Sequence, residues 1–231
     1  MKIGSNEWSN VIIDGARAFD LELDRHHTDL FANHARELLH WTKTINLTTI
    51  TDPFEIAVKH FLDSLVPARL IFPGAALLDI GSGGGFPGIP LKVVLPSLSI
   101  TLIDASRKKV NFLKHIIRSL KLDGIAALHI RAEDLATEPT YHQRFDFVIS
   151  RALTDLESFV HQALPLLAQE GIIIALKGKV DQTEVETVKS IAPGNLNNSN
   201  PDQNRYPVTV EEYKLPFTQS KRSIIAIRRV H

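Results

Sequence analysis

The sequence predicts an α/β fold: a mostly parallel sheet of seven strands with an antiparallel C-terminal strand, preceded by a helical N-terminal extension. Three observations carry this. From residue 76 onward, short apolar runs alternate with amphipathic stretches, as βαβ units of a parallel sheet do. Before that, apolar residues recur at three- and four-residue spacing, the period of helices packed on one face. The last two apolar runs, 207–213 and 223–229, are joined by a loop with no room for a helix and should pair antiparallel.

In the extension, Val11, Ile12, Ala16 and Phe19 define a first helix. Leu30, Phe31, His34, Leu38 and Trp41 share one side of a second. Pro53 opens a third, since its missing N–H costs little in a first turn. Its apolar face is Phe54, Ala57, Val58, Phe61, Leu62 and Leu65, and Pro67 marks its end. Pro73-Gly74 then divides the chain into the extension, 1–72, and the sheet domain, 73–231. Strands are expected at 76–80, 98–103, 125–130, 145–150 and 171–176. Helices are expected up to Leu95, over 106–121, over 155–167 and over 184–192. The stretch "PGNLNNSNPDQNRYP" reads as a polar loop.

Composition narrows the chemistry. The chain has 231 residues, 44% hydrophobic, enough for a sizeable core. It has no cysteine, which excludes a cysteine nucleophile, a thiolate zinc site and an iron–sulfur cluster, and fits a reducing compartment. No apolar run reaches the roughly 18 residues of a membrane helix, and the N-terminus lacks a leader pattern. A soluble cytoplasmic protein is expected. Lys plus Arg equals Asp plus Glu, 26 each, so any nucleic-acid binding requires a local basic patch.

The segment "LLDIGSGGGFPGIP" places five glycines between Gly81 and Gly88. Two parsings compete. Gly83, Gly85 and Gly88 fit the dinucleotide spacing G-x-G-x-x-G, whereas Asp79, Gly81, Gly83 and Gly85 fit the D-x-G-x-G-x-G of S-adenosylmethionine (SAM) methyltransferases. The dinucleotide motif starts at the strand end, which here is Gly81, and from that start its third glycine falls on Phe86. A pyrophosphate would also meet the like charge of Asp79, whereas SAM brings a sulfonium and an ammonium group. The loop therefore reads as a SAM loop. A NAD(P)-binding oxidoreductase is the alternative from another class.

Asp104 closes the second strand about 20 residues on, where an acid hydrogen-bonds ribose hydroxyls. "RAEDL", with Ala132 and Glu133, follows the third strand and suits an adenine amino group. The fourth strand ends "FDFVISRAL" and lacks the [ND]-P-P-[YF] used on exocyclic amines. What remains is an acceptor with its own lone pair, such as guanine N7, which needs no general base. No catalytic residue is assigned on this reading. Arg151 is the candidate electrostatic or positioning group, for the SAM carboxylate or an RNA phosphate.

"LLDIGSGGGFPGIPLKV", "LIDASRKKVNFL", "RAEDL", "FDFVISRAL" and "ALKGK", with "NLTTI" and "KHFLDSL" upstream, resemble the ribosomal RNA small-subunit methyltransferase G family, also called glucose-inhibited division protein B. The resemblance implies a Rossmann-like SAM-dependent methyltransferase fold. It also implies methylation of guanine N7 in a 16S rRNA loop near the decoding site, with SAM as cofactor and the small ribosomal subunit or an assembly intermediate as partner. Carried over by position, the SAM contacts are Gly81, Phe86, Ala132, Glu133 and Arg151, to which the physical reading adds Asp79, Gly83, Gly85 and Asp104. A SAM-dependent methyltransferase of a small molecule is the alternative within the same chemistry.

For RNA, Lys59, His60, Lys177 and Lys179 are the candidates. The basic residues of "SRKKVNFLKHIIRSLK" read as a solvated helix face. Ten histidines show no metal-ligand spacing, so no metal is expected.

Overall fold

The fold comes from a computed structural model of the chain that describes residues 1–151, 155–178, 180–191 and 207–229. The strands are β1 (Ala76–Ile80), β2 (Ser99–Asp104), β3 (Ile125–His129), β4 (Phe145–Ser150), β5 (Leu167–Lys177), β6 (Val208–Lys214) and β7 (Lys221–Arg228). They form one sheet in the order β3-β2-β1-β4-β5-β7-β6. The first five are parallel, and β7 lies antiparallel between β5 and β6. The chain winds outward from β1 to one side, then returns to β4 on the other. The order therefore reverses beside β1, where ligands of such sheets bind.

Side chains alternate across the sheet: Leu77 joins one core and Leu78 the other. Leu78's face is covered by helices α7 (Ala132–Thr137), α8 (Leu156–Ala163) and α9 (Gln182–Ser190) through Leu135, Phe159, Val160 and Val188. Leu77's face is covered by α5 (Gly88–Val94) and α6 (Arg107–Ser119). The extension packs on that layer, and one apolar core runs from Trp8, Phe31 and Phe61 through Phe86 and Ile89 to Leu102 and Phe112.

The extension begins with α1 (Asn6–Ala16) and α2 (Arg25–Thr42), capped by the side chains of Ser5 and Asp24. The helix that Pro53 opens is not uniform. Asp52 caps it, it turns α-helical over α3 (Pro53–Glu55), and then it widens to a π-helix over Ile56–Leu62. It closes through an α-turn, α4 (Asp63–Leu65), and a 3-10 turn, Val66–Leu70, that contains Pro67. Residue spacing reads "helix" here but not the wider turn.

At α8 the sequence expectation overran. The helix stops at Ala163 and β5 begins at Leu167, because Pro165 supplies no N–H to continue the helix. A register shift between Phe145 and Phe147 then lets the longer β5 pair with β4.

Candidate active site

The loop after β1 is folded from beneath. The Gly81 and Ser82 N–H groups donate to the Ile103 carbonyl at 2.9 and 3.0 Å. Gly81, Gly83 and Gly85 all have positive φ, at 72°, 54° and 88°. This alternation matches the SAM parsing of the motif. Gly88 is glycine for another reason: a Cβ there would stand 2.3 Å from Leu102 Cδ2 and 2.8 Å from Asp79 Oδ2. That approach lets the Gly88 N–H donate to Asp79 Oδ2 at 2.9 Å.

Asp79 has no exposed surface, and its Oδ1 is buried with no hydrogen-bond partner among the described residues. Burial pushes its carboxyl up to about 7, against the opposing pull of the Gly88 N–H and Arg151. It braces the loop rather than facing a cavity. Asp104 holds the loop from the side: Oδ2 accepts from the Gly83 N–H at 3.1 Å and Oδ1 from the Ser106 N–H at 2.8 Å. Ser106, not Asp104, caps α6.

A cavity of about 240 Å³ opens over this loop, lined by Ile80, Gly81, Asp104, Ala132, Glu133 and Gln162 among others. A Cβ at Gly81 would meet nothing within 4 Å among the described residues. Glu133 Oε1 accepts from Gln162 Nε2 at 2.7 Å. Four of the predicted cofactor residues, Gly81, Asp104, Ala132 and Glu133, therefore meet in one place.

Arg151, just past β4, turns to a second cavity of about 310 Å³, lined by Lys59, His60, Asp63, Lys177 and Arg222 besides Arg151 itself. Its Nη1 donates to the Lys59 carbonyl at 3.1 Å, which lies in the π-helical turn. Its Nη2 stands 3.4 Å from His60 Nδ1, and the guanidinium carbon lies 5.0 Å from the Phe86 ring centroid. Burial pulls the Arg151 value down, while Asp63 and Asp79 hold it up. The nearby Asp155 carboxylate caps α8 through the Ser158 N–H.

Arginine can only donate, so His60 Nδ1 must accept and Nε2 must carry the proton. Nε2 then donates to Thr48 Oγ1 at 2.8 Å, and that oxygen also accepts from the Ile50 N–H at 3.0 Å. Burial, with the charge of Arg151, lowers His60 to about 3 and keeps it neutral. The His60 ring stacks on Phe86 at 4.7 Å, and His34 stacks on the opposite face at 4.7 Å. His34 Nε2 bonds the Gly84 carbonyl at 2.7 Å. Two histidines of the extension thus clamp the glycine loop through Phe86.

Phe86 is accordingly packed in the core, 4% exposed, and lines neither cavity. Gly85 also lies away from both, against Ile89 and Leu113. Lys59, His60 and Lys177 do gather around Arg151, with Lys59 paired to Glu55 and Lys177 to Glu184. Lys179 lies outside the described residues. Sequence reading missed Asp63, Arg222, Thr48 and His34. The available signal was Asp63 itself, a charge set among the apolar residues of "KHFLDSL". Among the described residues no group of three acidic or histidine side chains could hold a metal ion.

Known proteins share the fold, and others share much of the sequence. A SAM-dependent methyltransferase structure from Aquifex aeolicus superposes with a TM-score of 0.52 at 15% identity, covering 78% of this chain and 94% of that one. A crystal structure of M. jannaschii TYW2 in complex with AdoMet gives 0.51 at 15% identity, over 72% of this chain and 73% of that one. At such identities the likeness speaks for the fold alone. Sequence similarity is much stronger. Ribosomal RNA small subunit methyltransferase G of Geobacter sp. (strain M21) is 42% identical over 219 residues, 93% of this chain and 94% of that protein. A family model described as rRNA small subunit methyltransferase G matches residues 27–193, from α2 across the glycine loop and both cavities' strand ends. With that span and that identity, the chain belongs to the rRNA small subunit methyltransferase G family.

Proposed function

We propose that this protein transfers a methyl group from SAM to N7 of a guanine in 16S rRNA, in the loop near the decoding site. The observation that carries the reading is the pair of cavities at the carboxyl ends of the strands. One lies over Gly81 and Asp104, and the other is cationic around Arg151.

The first cavity suits SAM. Gly81 leaves open space beside the loop, and among the described residues each Asp104 oxygen accepts one hydrogen bond, so lone pairs remain for ribose hydroxyls. Ala132 and Glu133 stand where an adenine would be read. Arg151 offers its guanidinium to the methionine carboxylate. Asp79, Gly83, Gly85 and Phe86 serve by fixing the loop. When bound, SAM would supply an electrophilic methyl group to the guanine N7 lone pair and leave as neutral S-adenosylhomocysteine, with the positive charge passing to the purine.

N7 carries no proton, so no base has to remove one. His60, the imidazole in the second cavity, is neutral and has both ring nitrogens engaged. The chain contributes proximity and electrostatics instead. Lys59, His60 and Lys177 form the RNA side, for the small ribosomal subunit or an assembly intermediate. Among the described residues no helix is long and apolar enough to cross a membrane, and we place the reaction in the cytoplasm. The test is a nuclease digest of 16S rRNA from cells lacking the protein, analysed by mass spectrometry. One 7-methylguanosine should disappear and return on treating their small subunits with protein and SAM; an unchanged digest overturns the reading.

A further inference from the structure

We propose that Asp63 reads the target guanine, its carboxylate accepting hydrogen bonds from the purine N1–H and the exocyclic N2 amine. The inference rests on the guanine-N7 reading above and names the residue that would select the base.

Among the described residues, Asp63 is the one carboxylate lining the cavity around Arg151. It is 5% exposed, yet among the described residues its carboxylate finds only partial satisfaction. Oδ1 accepts from the Tyr213 hydroxyl at 2.8 Å. Oδ2 has the Arg222 Nε at 3.7 Å, an ion pair too long for a hydrogen bond. Three distant parts of the chain, the π-helical segment's end, β6 and β7, thus converge to hold a buried carboxylate at a cavity wall while leaving it acceptor capacity. A buried carboxylate short of donors is costly, so a ligand that brings donors is favoured there.

Of the four RNA bases, guanine alone sets two N–H donors side by side on one edge. Uracil has one, and the amines of adenine and cytosine each stand beside an acceptor. Single-stranded bases are read on that edge. Engaging it leaves N7 free on the opposite edge of the purine. A carboxylate against N1–H also opposes the positive charge that grows on the ring as N7 is alkylated, which is where catalysis gains most. Lys177 and Arg222 then suit the nucleotide's phosphates, while Arg151 serves the methionine carboxylate.

The test crosses enzyme and substrate changes. Small-subunit particles would be assembled with ligated 16S rRNA carrying guanosine or inosine at the target; inosine lacks only the N2 amine. Wild type should lose roughly tenfold to a hundredfold in kcat/KM on inosine. Asp63→Asn should show a similar loss on guanosine and little further loss on inosine. Tyr213→Phe removes the hydroxyl but keeps the carboxylate, so it should retain the inosine penalty whatever its rate. Calorimetry with S-adenosylhomocysteine checks that each variant is folded. Full inosine sensitivity in a folded Asp63→Asn, or indifference of the wild type to inosine, overturns the proposal. A digest placing the methyl group on another atom or nucleotide overturns the guanine-N7 reading itself, a distinguishable result.

Discussion

His60 lies flat on Phe86, ring centroids 4.7 Å apart and planes within 18°, although the two residues belong to the extension and to the glycine loop. Through its two nitrogens the same imidazole links Arg151 to Thr48. Packing and positioning therefore meet in one side chain and can be separated by substitution.

Phe86→Ala empties the space between His34 and His60 and should cost about 3–5 kcal/mol of stability. His60→Phe keeps a ring on Phe86 but removes the acceptor for Arg151 and the donor to Thr48. Its melting temperature should stay well above that of Phe86→Ala, while methyl transfer falls by about tenfold or more, the scale of one lost hydrogen bond to a charged group. Melting curves and kcat/KM check this; loss of stability without loss of rate would make His60 merely structural.

Gly81 and Gly88 should fail differently. Gly88→Ala forces a methyl into Leu102 and Asp79 and should destabilise the fold by about 1–3 kcal/mol. Gly81→Ala meets no atom of the described residues, so it carries left-handed backbone strain of about 1–2 kcal/mol, yet it intrudes on the cavity. Its SAM affinity should fall further than its stability. Denaturant titration paired with SAM calorimetry separates the two.

Asp104→Ala removes the proposed ribose acceptor together with a brace on Gly83 and Ser106. SAM binding should weaken by roughly tenfold to a hundredfold, read directly as a calorimetric Kd. An unchanged Kd would place the ribose elsewhere.

Acid should strip stability through the buried histidines. Burial lowers His34 to about 4 and His60 to about 3, below the ordinary value near 6.5. The unfolded chain then takes up protons first, so stability is full above about pH 6.5 and falls as the pH drops towards 4 and 3. Each histidine steepens that limb by up to about 1.4 kcal/mol per pH unit. Asp79, raised to about 7, and Asp63, also raised, act in the opposite sense. His34→Phe should therefore be less stable overall but show a shallower acid limb in urea titrations between pH 7 and 4; a parallel limb would mean His34 is not held neutral.

Much of this was legible in the sequence, because it rests on local rules. Alternation and spacing determined seven strands, their sense and the helical extension. The register of Gly81, Gly83 and Gly85 after Ile80 determined the loop's parsing, and strand ends determined where Asp104, Ala132, Glu133 and Arg151 would stand. The end of α8 was misread: the expected helix over 155–167 ran past Pro165, although that residue marks the stop. Only the tertiary structure decided the rest. Whether Asp79 faces a ligand or the loop's own backbone depends on how closely Gly88 approaches β1. That Arg151 turns to Lys59 and His60, more than 90 positions away, depends on a carbonyl in a π-turn that no period announces. Asp63, Tyr213 and Arg222 meet because β7 inserts beside β5 and carries β6 to the edge. Local sequence sets which atoms a segment can offer; which long-range partner they find is settled by packing three separate parts of the chain on one sheet.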